Sequence, residues 1–177
     1  IFMIRKANEN DIDRIAEIYD EIHCEEKAGR ITTGWISGIY PARATAEAAL
    51  KRDDLFVFEE DKRVLASAII NRSQVDVYKD GKWLFPAPDS SVMVLHTLTV
   101  SPKAKKRGIG RTFVAFYEDY ARKNGCTVLR IDTNERNAVA RAFYKKLGFR
   151  EAGVVPCAFN GIPDVKLVLL EKKTADS

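Results

Sequence analysis

The sequence predicts an α+β fold, in which a mixed β-sheet of about seven strands carries helices on both faces, as in an α/β/α sandwich. Segments with strand-like and helix-like apolar periodicity alternate in the order βααββ and then βαβαββ. The chain has 177 residues and shows no internal repeat. That length favours a single domain, residues 1–177, with one sizeable core.

The first half of the chain is expected to supply a strand, two helices and a strand pair. Isoleucines at positions 12, 15, 18 and 22 form one helical face, and Asn8 or Asp11 supplies the N-cap. Pro41 opens the second helix. The predicted elements are a strand at residues 2–6, a helix ending near Gly29, a loop at 31–40, a helix at 42–52, and paired strands at 55–59 and 63–71.

The second half adds two strand–helix units and a final strand pair. Gly125 and Gly148 end the two helices, because glycine accepts the left-handed conformation that follows a helix. The connection at 72–91 is long and contains Tyr78, Trp83 and Phe85, which either cover a substrate pocket or pack as ordinary core. The predicted elements are strands at 92–100, 127–132, 149–155 and 165–170, helices at 108–124 and 137–147, and a frayed tail at 172–177.

Composition limits the classes of function. Hydrophobic residues make up 46% of the chain and charged residues 31%, which is typical of a folded globular protein. The net charge of +4 fits an anionic small-molecule ligand without requiring nucleic acid. No apolar run is long enough to span a membrane, and no signal peptide is visible. Three cysteines without a CxxC or Cys/His cluster favour reduced thiols in the cytoplasm over disulfides or a metal site.

The most informative motif is a basic turn between a strand and a helix, here called the glycine loop (residues 101–112). It reads SPKAKKRGIGRT. The first N–H groups of a helix lack partners and lie at the positive end of the helix dipole, so this position can bind a phosphate group. The loop lacks the third glycine of a dinucleotide fingerprint, where Phe113 stands, and it lacks a Walker sequence. Taken alone, the run at 103–107 is equally well explained as a solvated charged surface.

A second motif lies at residues 134–149 and reads NERNAVARAFYKKLGF. Asn137 and Tyr144 are seven residues apart, close to two helical turns, and therefore share one face of a helix. Taken alone, this pattern favours a capped helix with an aromatic side chain packed on the sheet.

Together, the two motifs resemble those of the GCN5-related N-acetyltransferase (GNAT) superfamily. The family's Gln/Arg-x-x-Gly-x-Gly/Ala loop is matched by KKRGIG at 105–110, where Lys105 replaces Gln or Arg and keeps the positive charge. The family's later motif, an Asn before a helix with Tyr and a closing Gly-Phe, is matched by Asn137, Tyr144 and Gly148-Phe149. The match covers residues 92–149, and the N-terminal part fits only by its order of elements.

The resemblance implies an acetyl-CoA-dependent N-acetyltransferase whose sheet splays after the 92–100 strand. Backbone groups of that strand would pair with the pantetheine arm, and the Leu98 N–H would stabilise the oxyanion. N–H groups at 107–112 would hold the pyrophosphate, Asn137 would contact the cofactor, and Tyr144 would lie by the sulfur. The residues implied for the cofactor are Leu98, Thr99, Val100, Lys105, Arg107, Gly108, Ile109, Gly110, Arg111, Thr112, Asn137 and Tyr144.

The reaction requires an acid and a base, because an alkyl amine of pKa ~10 is mostly protonated at neutral pH. Tyr144 is neutral at pH 7 and could protonate the departing thiolate. His96 is the ionisable side chain of the 92–100 strand and lies two residues before Leu98, so the two side chains should share one face of the strand. A histidine pKa of ~6.5 suits a base at neutral pH, although a lone strand histidine is more often a core residue. Other polar candidates near the acceptor are His23, Glu25 and Glu26, which are more simply an exposed helix end. Arg30, Arg43 or Arg72 could bind an acidic acceptor, although no residue in the sequence decides this.

Two classes of function remain open at this stage. The first is direct transfer of an acetyl group to the primary amine of a small-molecule or amino-acid-like acceptor, with a protein N-terminus or lysine as the alternative acceptor. The second is a non-catalytic module that binds an acyl-CoA or uses its basic loop on nucleic acid. We expect the first class, without a metal, a nucleic acid or a membrane, and a homodimer is compatible with it.

Overall fold

A computed structural model describes residues 1–175. Seven strands form a mixed sheet in the order β1-β2-β3-β4-β5-β7-β6, and the predicted fold class and element order are confirmed. The strands are β1 Phe2–Lys6, β2 Leu55–Glu60, β3 Arg63–Asn71, β4 Val92–Val100, β5 Val128–Asn134, β6 Arg150–Phe159 and β7 Ile162–Lys173. The α-helices are α1 Ile12–Lys27, α2 Arg43–Arg52, α3 Ile109–Lys123 and α4 Ala138–Lys146.

Strand pairing follows from the connections between the strands. The hairpin-linked pairs β2/β3 and β6/β7 are antiparallel, whereas β4 and β5 are joined through α3 and pair in parallel. The parallel register runs from Val92 opposite Val128 to Leu95 opposite Ile131. It ends there although β4 continues to Val100, which agrees with the open sheet that the family resemblance implies.

The chain divides into two compact units. Unit 1 contains residues 1–31, 35–70 and 96–116, and unit 2 contains residues 32–34, 71–95 and those from 117 onward. In unit 1 the apolar face of α1 forms one hydrophobic core with α2 and β2. The fully buried residues of this core include Ile15, Ile18, Ala46, Ala49 and Val57. In unit 2 the buried Tyr117 donates its hydroxyl to the carbonyl oxygens of Met93 and Arg130, which fixes α3 to β4 and β5.

The largest error of the sequence-based prediction is the length of the β6–β7 hairpin. Asn160 and Gly161 form its turn, with φ of 47° and 87°, and Asn-Gly is the strongest short-range hairpin signal. β7 continues to Lys173, so the prediction of a frayed tail was wrong for Lys172 and Lys173. The predicted tail residues 176 and 177 lie outside the described residues.

The helix starts also differ from the prediction in detail. Pro41 precedes α2 but does not open it, because Ala42 is the N-cap residue. Asn8 caps a short 3-10 turn, Glu9–Asp11, that leads into α1, and the Asp11 carboxylate accepts the Asn8 N–H at 2.8 Å. Asp11 occupies the N-cap position of α1 without a side-chain capping bond to that helix, so the predicted capping chemistry acts on the 3-10 turn instead.

Candidate active site

The glycine loop is anchored at both ends in unit 1 and exposed in its middle. The Ser101 N–H donates to the Leu65 carbonyl at 2.8 Å, and the Ser101 hydroxyl donates to Glu21. Ala104 and Ile109 are buried, while residues 105–108 are exposed. The part of the loop that carries the sequence motif is thus open to a ligand.

The backbone of the glycine loop turns sharply before α3. Lys106 and Gly108 both adopt positive φ, 63° and 72°. α3 then begins at Ile109, and its first hydrogen bond runs from the Thr112 N–H to the Gly108 carbonyl at 3.0 Å. The Thr112 N–H is therefore engaged within the helix, whereas the N–H groups that precede it have no partner within the helix.

Side chains of the glycine loop are paired to different degrees. Arg107 hydrogen-bonds Glu60 on β2, and Lys103 lies 3.4 Å from Glu21. Lys105 and Arg111 are exposed, and Lys105 acts electrostatically on Glu25.

The second half of β4 has an irregular backbone. Thr97 adopts a φ of 51°, a left-handed conformation that is uncommon for a β-branched residue and often marks functional positions. The Tyr40 hydroxyl hydrogen-bonds the Thr97 Oγ1. Because Thr97 interrupts the alternation of side chains along the strand, a separation of two residues does not put His96 and Leu98 on one face of β4. Both side chains are half-buried, and the buried Thr99 hydroxyl bonds Ser67 at 2.9 Å.

Unit 2 carries the other predicted residues, on α4. The Asn137 Oδ1 accepts the Ala140 N–H at 3.0 Å, so Asn137 is the N-cap that the sequence indicated. Tyr144 is buried and makes edge contacts with Phe143 and Phe149. Burial, followed by the nearby Asp132 carboxylate, raises the pKa of Tyr144. Its hydroxyl therefore stays protonated at neutral pH.

Asp132 on β5 is a functional candidate that the sequence reasoning missed. Its carboxylate accepts a hydrogen bond from the Tyr78 hydroxyl at 2.7 Å. Burial raises the pKa of Asp132 to about 6, although the bond from Tyr78 lowers it. The same carboxylate acts electrostatically on Tyr144 and on the Cys157 thiol, whose pKa burial also raises. An aspartate within an apolar strand was the available signal, since aspartate is depleted in strands.

The long connection at 72–91, here called the aromatic segment, packs within unit 2. Tyr78 is buried, and the Trp83 Nε1 donates to the Tyr78 carbonyl at 2.6 Å. The Trp83 ring stacks on the Arg130 guanidinium, 4.0 Å away. These contacts match the expectation that the aromatic residues pack as ordinary core, and not the alternative that they cover a substrate pocket.

The remaining polar candidates are already engaged. His23 is not the exposed helix end that was expected, because it is buried and its Nε2 lies 2.8 Å from the Pro41 carbonyl. The three cations considered for an acidic acceptor pair with Glu25 (Arg30), Asp13 (Arg43) and the Ser90 and Asn124 carbonyls (Arg72). The three cysteines are free thiols.

Residues 1–175 contain neither a candidate metal cluster nor a candidate membrane-spanning helix. No three His, Cys, Asp or Glu side chains in that range are grouped as a metal ion would require. None of the helices formed by the same residues combines the length and the apolar character needed to cross a bilayer.

Comparison with known proteins identifies relatives across the chain. An uncharacterised N-acetyltransferase of Methanocaldococcus jannaschii is 26% identical over 163 residues, which are 87% of this chain and 63% of the relative. The ribosomal protein bS18-alanine N-acetyltransferase of Escherichia coli is 33% identical over 60 residues, which are 34% of this chain and 40% of that protein. The chain thus spans less than two thirds of the length of these relatives.

The fold matches solved structures over nearly their whole length. A Salmonella typhimurium acetyltransferase, solved with its cofactor acetyl-CoA, superposes with a TM-score of 0.68 at 18% identity and covers 100% of this chain and 96% of that chain. The sequence model of the Acetyltransferase (GNAT) family matches residues 15–149, well over half of the chain. The protein therefore belongs to the GNAT acetyltransferase family.

Proposed function

We propose that this protein is an acetyl-CoA-dependent N-acetyltransferase that acts on a primary amine. The observation that carries the proposal is the glycine loop, where residues 105–108 are exposed and turn through two left-handed positions into the start of α3. N–H groups at a helix start favour a phosphate group, and the cations Lys105 and Arg111 add attraction to the same anion. The structural relative that holds acetyl-CoA supports this choice of cofactor.

The cofactor contacts are proposed along the lines that the family resemblance implies. N–H groups at 107–112 bind the pyrophosphate, mainly those before the engaged Thr112 N–H. The β4 backbone at 98–100 binds the pantetheine arm. Asn137 contacts the cofactor through its Nδ2, because its Oδ1 is used in the helix cap. Residues 1–177 then act as one catalytic domain, because these groups serve a single reaction.

The transfer itself breaks one bond and forms another. The amine nitrogen attacks the thioester carbonyl carbon, and the Leu98 N–H stabilises the resulting oxyanion. The C–S bond then breaks, and Tyr144 donates its proton to the departing CoA thiolate. A base removes the proton from the amine, which yields the amide and free CoA.

Two side chains compete for the role of base. His96 is half-buried on β4, and histidine is a residue type that often serves as a general base. Asp132, with a pKa of about 6, is mostly ionised at pH 7.5 and still basic enough to accept a proton, directly or through water. We favour Asp132, because its carboxylate also interacts electrostatically with the proposed acid, Tyr144.

Substitution of each base separates the two assignments. Asp132→Asn should lower kcat/KM by about 10²-fold or more and abolish the acid limb of the pH–rate profile. His96→Gln should keep that limb if Asp132 is the base. The reverse result, with the limb lost only in His96→Gln, would assign the base to His96.

The acceptor is proposed to be a small-molecule or amino-acid-like amine, with a protein N-terminus as the second candidate. The second candidate is favoured by the local similarity to the bS18-alanine N-acetyltransferase. CoA release should be measured against a panel of free amines and against peptides that begin with alanine, and mass spectrometry should identify the product. Turnover only with the peptides would select the protein acceptor.

A thermal-shift comparison tests the non-catalytic alternatives. Acetyl-CoA at 100 times its Kd should stabilise the protein by about 2.7 kcal/mol, and a short DNA duplex should not. Stabilisation by acetyl-CoA without turnover of any amine would favour a binding module. Stabilisation by the duplex alone would favour nucleic acid.

A further inference from the structure

The aromatic segment is fixed to unit 2 by two buried charged side chains. Glu171 on β7 is fully buried and accepts the N–H groups of Leu84 and Phe85 at 2.7 and 3.0 Å. Arg130 on β5 donates to the Gln74 side chain at 2.7 Å and to the Phe85 carbonyl. Bonds from buried charges hold the segment, whose regular elements are the short 3-10 turns Asp76–Asp80 and Asp89–Ser91, in one conformation.

These anchors place Tyr78 over β5. The Trp83 ring, held on Arg130, meets the Tyr78 ring edge-on at 5.6 Å, and its Nε1 donates to the Tyr78 carbonyl. The side chain of Tyr78 is 2% exposed, and its hydroxyl donates to the Oδ2 of Asp132 at 2.7 Å. The aromatic segment therefore makes one hydrogen bond, from Tyr78, to the carboxylate that is the favoured base.

We propose that Tyr78 is a positioning residue for catalysis, which holds Asp132 through its Oδ2 and orients Oδ1 to accept the proton of the acceptor amine. This inference rests on the proposed function of Asp132. The aromatic segment thereby gains a role, because no residue of it takes part in the acetyl transfer as proposed above.

The groups that face Asp132 make its ionisation sensitive to this one bond. They include Tyr78 from the aromatic segment, Tyr144 from α4 and Cys157 from β6, while β7 places Leu169 opposite Asp132 in the strand register. Arg130, a cation two residues earlier on the same face of β5, acts electrostatically on Tyr78. Burial raises the pKa of the Asp132 carboxyl, and the Tyr78 bond opposes that rise. Removal of the bond must therefore raise the pKa further.

The test compares the pH dependence of kcat/KM in two tyrosine variants. Tyr78→Phe keeps the ring and removes the hydroxyl, so the acid limb should move up by about one pH unit, and the rate at pH 9 should also fall because Oδ1 is no longer oriented. Tyr117→Phe is the matched control, because it removes another buried hydroxyl, one that bonds the Met93 and Arg130 carbonyls. This control should lose thermal stability without moving the limb. A Tyr78→Phe enzyme with an unmoved limb would overturn the proposal.

A second measurement does not depend on turnover. Carboxyl ¹³C NMR of the ligand-free protein should show the Asp132 titration, identified by its loss in Asp132→Asn, at a higher midpoint in Tyr78→Phe. An unchanged midpoint would overturn the contact itself. A raised midpoint in a protein that acetylates no amine would support the contact and would refute the proposed function instead.

A rescue experiment covers the case in which Tyr78→Phe folds poorly. The single variant leaves a half-buried carboxylate without its donor, so adding Asp132→Asn should raise the melting temperature of Tyr78→Phe at pH 8 by more than it raises that of the wild type. An equal gain in the two backgrounds would show that the bond does not hold the carboxylate, and would overturn the proposal.

Discussion

The proposed roles differ in kind between the glycine loop and the β5–α4 region (residues 128–146). In the glycine loop, backbone N–H groups are proposed to bind the cofactor where Lys106 and Gly108, at positive φ, turn the chain towards α3. In the β5–α4 region, the side chains of Asp132 and Tyr144 are proposed to carry out the chemistry. Substitutions in the first region should therefore change the affinity for the cofactor, and substitutions in the second should change the rate of transfer.

The largest effect is expected for Tyr144→Phe. The loss of the hydroxyl removes the acid for the departing thiolate while the buried ring keeps its contacts with Phe143 and Phe149. We expect kcat to fall by about 10²- to 10⁴-fold, with little change in KM for acetyl-CoA, in steady-state assays of CoA release. An unchanged kcat would remove Tyr144 from the mechanism, and the β5–α4 region would then no longer differ from the glycine loop in its proposed role.

A smaller effect, on the affinity for acetyl-CoA and not on the rate of transfer, is expected for Gly108→Ala. Gly108 has a φ of 72° with no atom near an added Cβ, so alanine strains the turn by about 1 kcal/mol without a clash. The shifted N–H groups should raise the Kd for acetyl-CoA by about tenfold, measured by titration calorimetry, and leave kcat close to wild type.

Gly125→Ala is the matched control for that experiment. Gly125 ends α3 with a φ of 78° and has the same open space around an added Cβ. Both variants should lose similar thermal stability, and only Gly108→Ala should lose affinity. Equal losses of affinity would mean that general strain, and not the geometry of the glycine loop, weakens binding.

The turn and helix start of the glycine loop could be predicted from the sequence and the contacts around Asp132 could not, for a physical reason. The phosphate site proposed there depends on a local pattern, glycine beside cations at a helix start, and the 101–112 sequence contains that pattern. The position of Tyr78 depends on Glu171, which bonds Leu84 and Phe85 from 86 or more residues away in the sequence. No local pattern encodes that contact.

In the fold, too, features set by local sequence could be predicted, and features set by contacts distant in sequence could not. The strand 92–100 and the Asn137 cap were predicted correctly, because short-range periodicity and capping chemistry define them. The left-handed Thr97 was missed, because threonine gives no local signal for that conformation and its Tyr40 contact is distant in sequence. The β6–β7 hairpin was predicted too short although Asn160-Gly161 was readable.

The third prediction concerns the pH dependence of stability in the β5–α4 region. The pKa of Asp132 is about 6 in the folded protein, above the value of about 4 expected when unfolded. The folded state therefore disfavours the charged form, and this penalty is complete above pH 6 and fades as the pH falls to 4. Asp132→Asn should gain about 1–2 kcal/mol of stability relative to wild type between pH 4 and pH 8, after allowance for partial exposure. Urea unfolding at both pH values measures this, and a pH-independent difference would contradict it.

The smallest effect is expected for a charge in the glycine loop. Lys105 is exposed and, in the proposal, adds only long-range attraction to a ligand held by N–H groups. Lys105→Gln should raise KM for acetyl-CoA by about two- to threefold at low ionic strength, and the difference should vanish near 1 M salt because the Debye length falls to about 3 Å. Lys123→Gln, which removes an exposed lysine paired with Asp119, is the control and should leave KM unchanged. A salt-independent loss of tenfold or more in Lys105→Gln would mean that this side chain binds the cofactor directly, so that the glycine loop, like the β5–α4 region, works through a side chain.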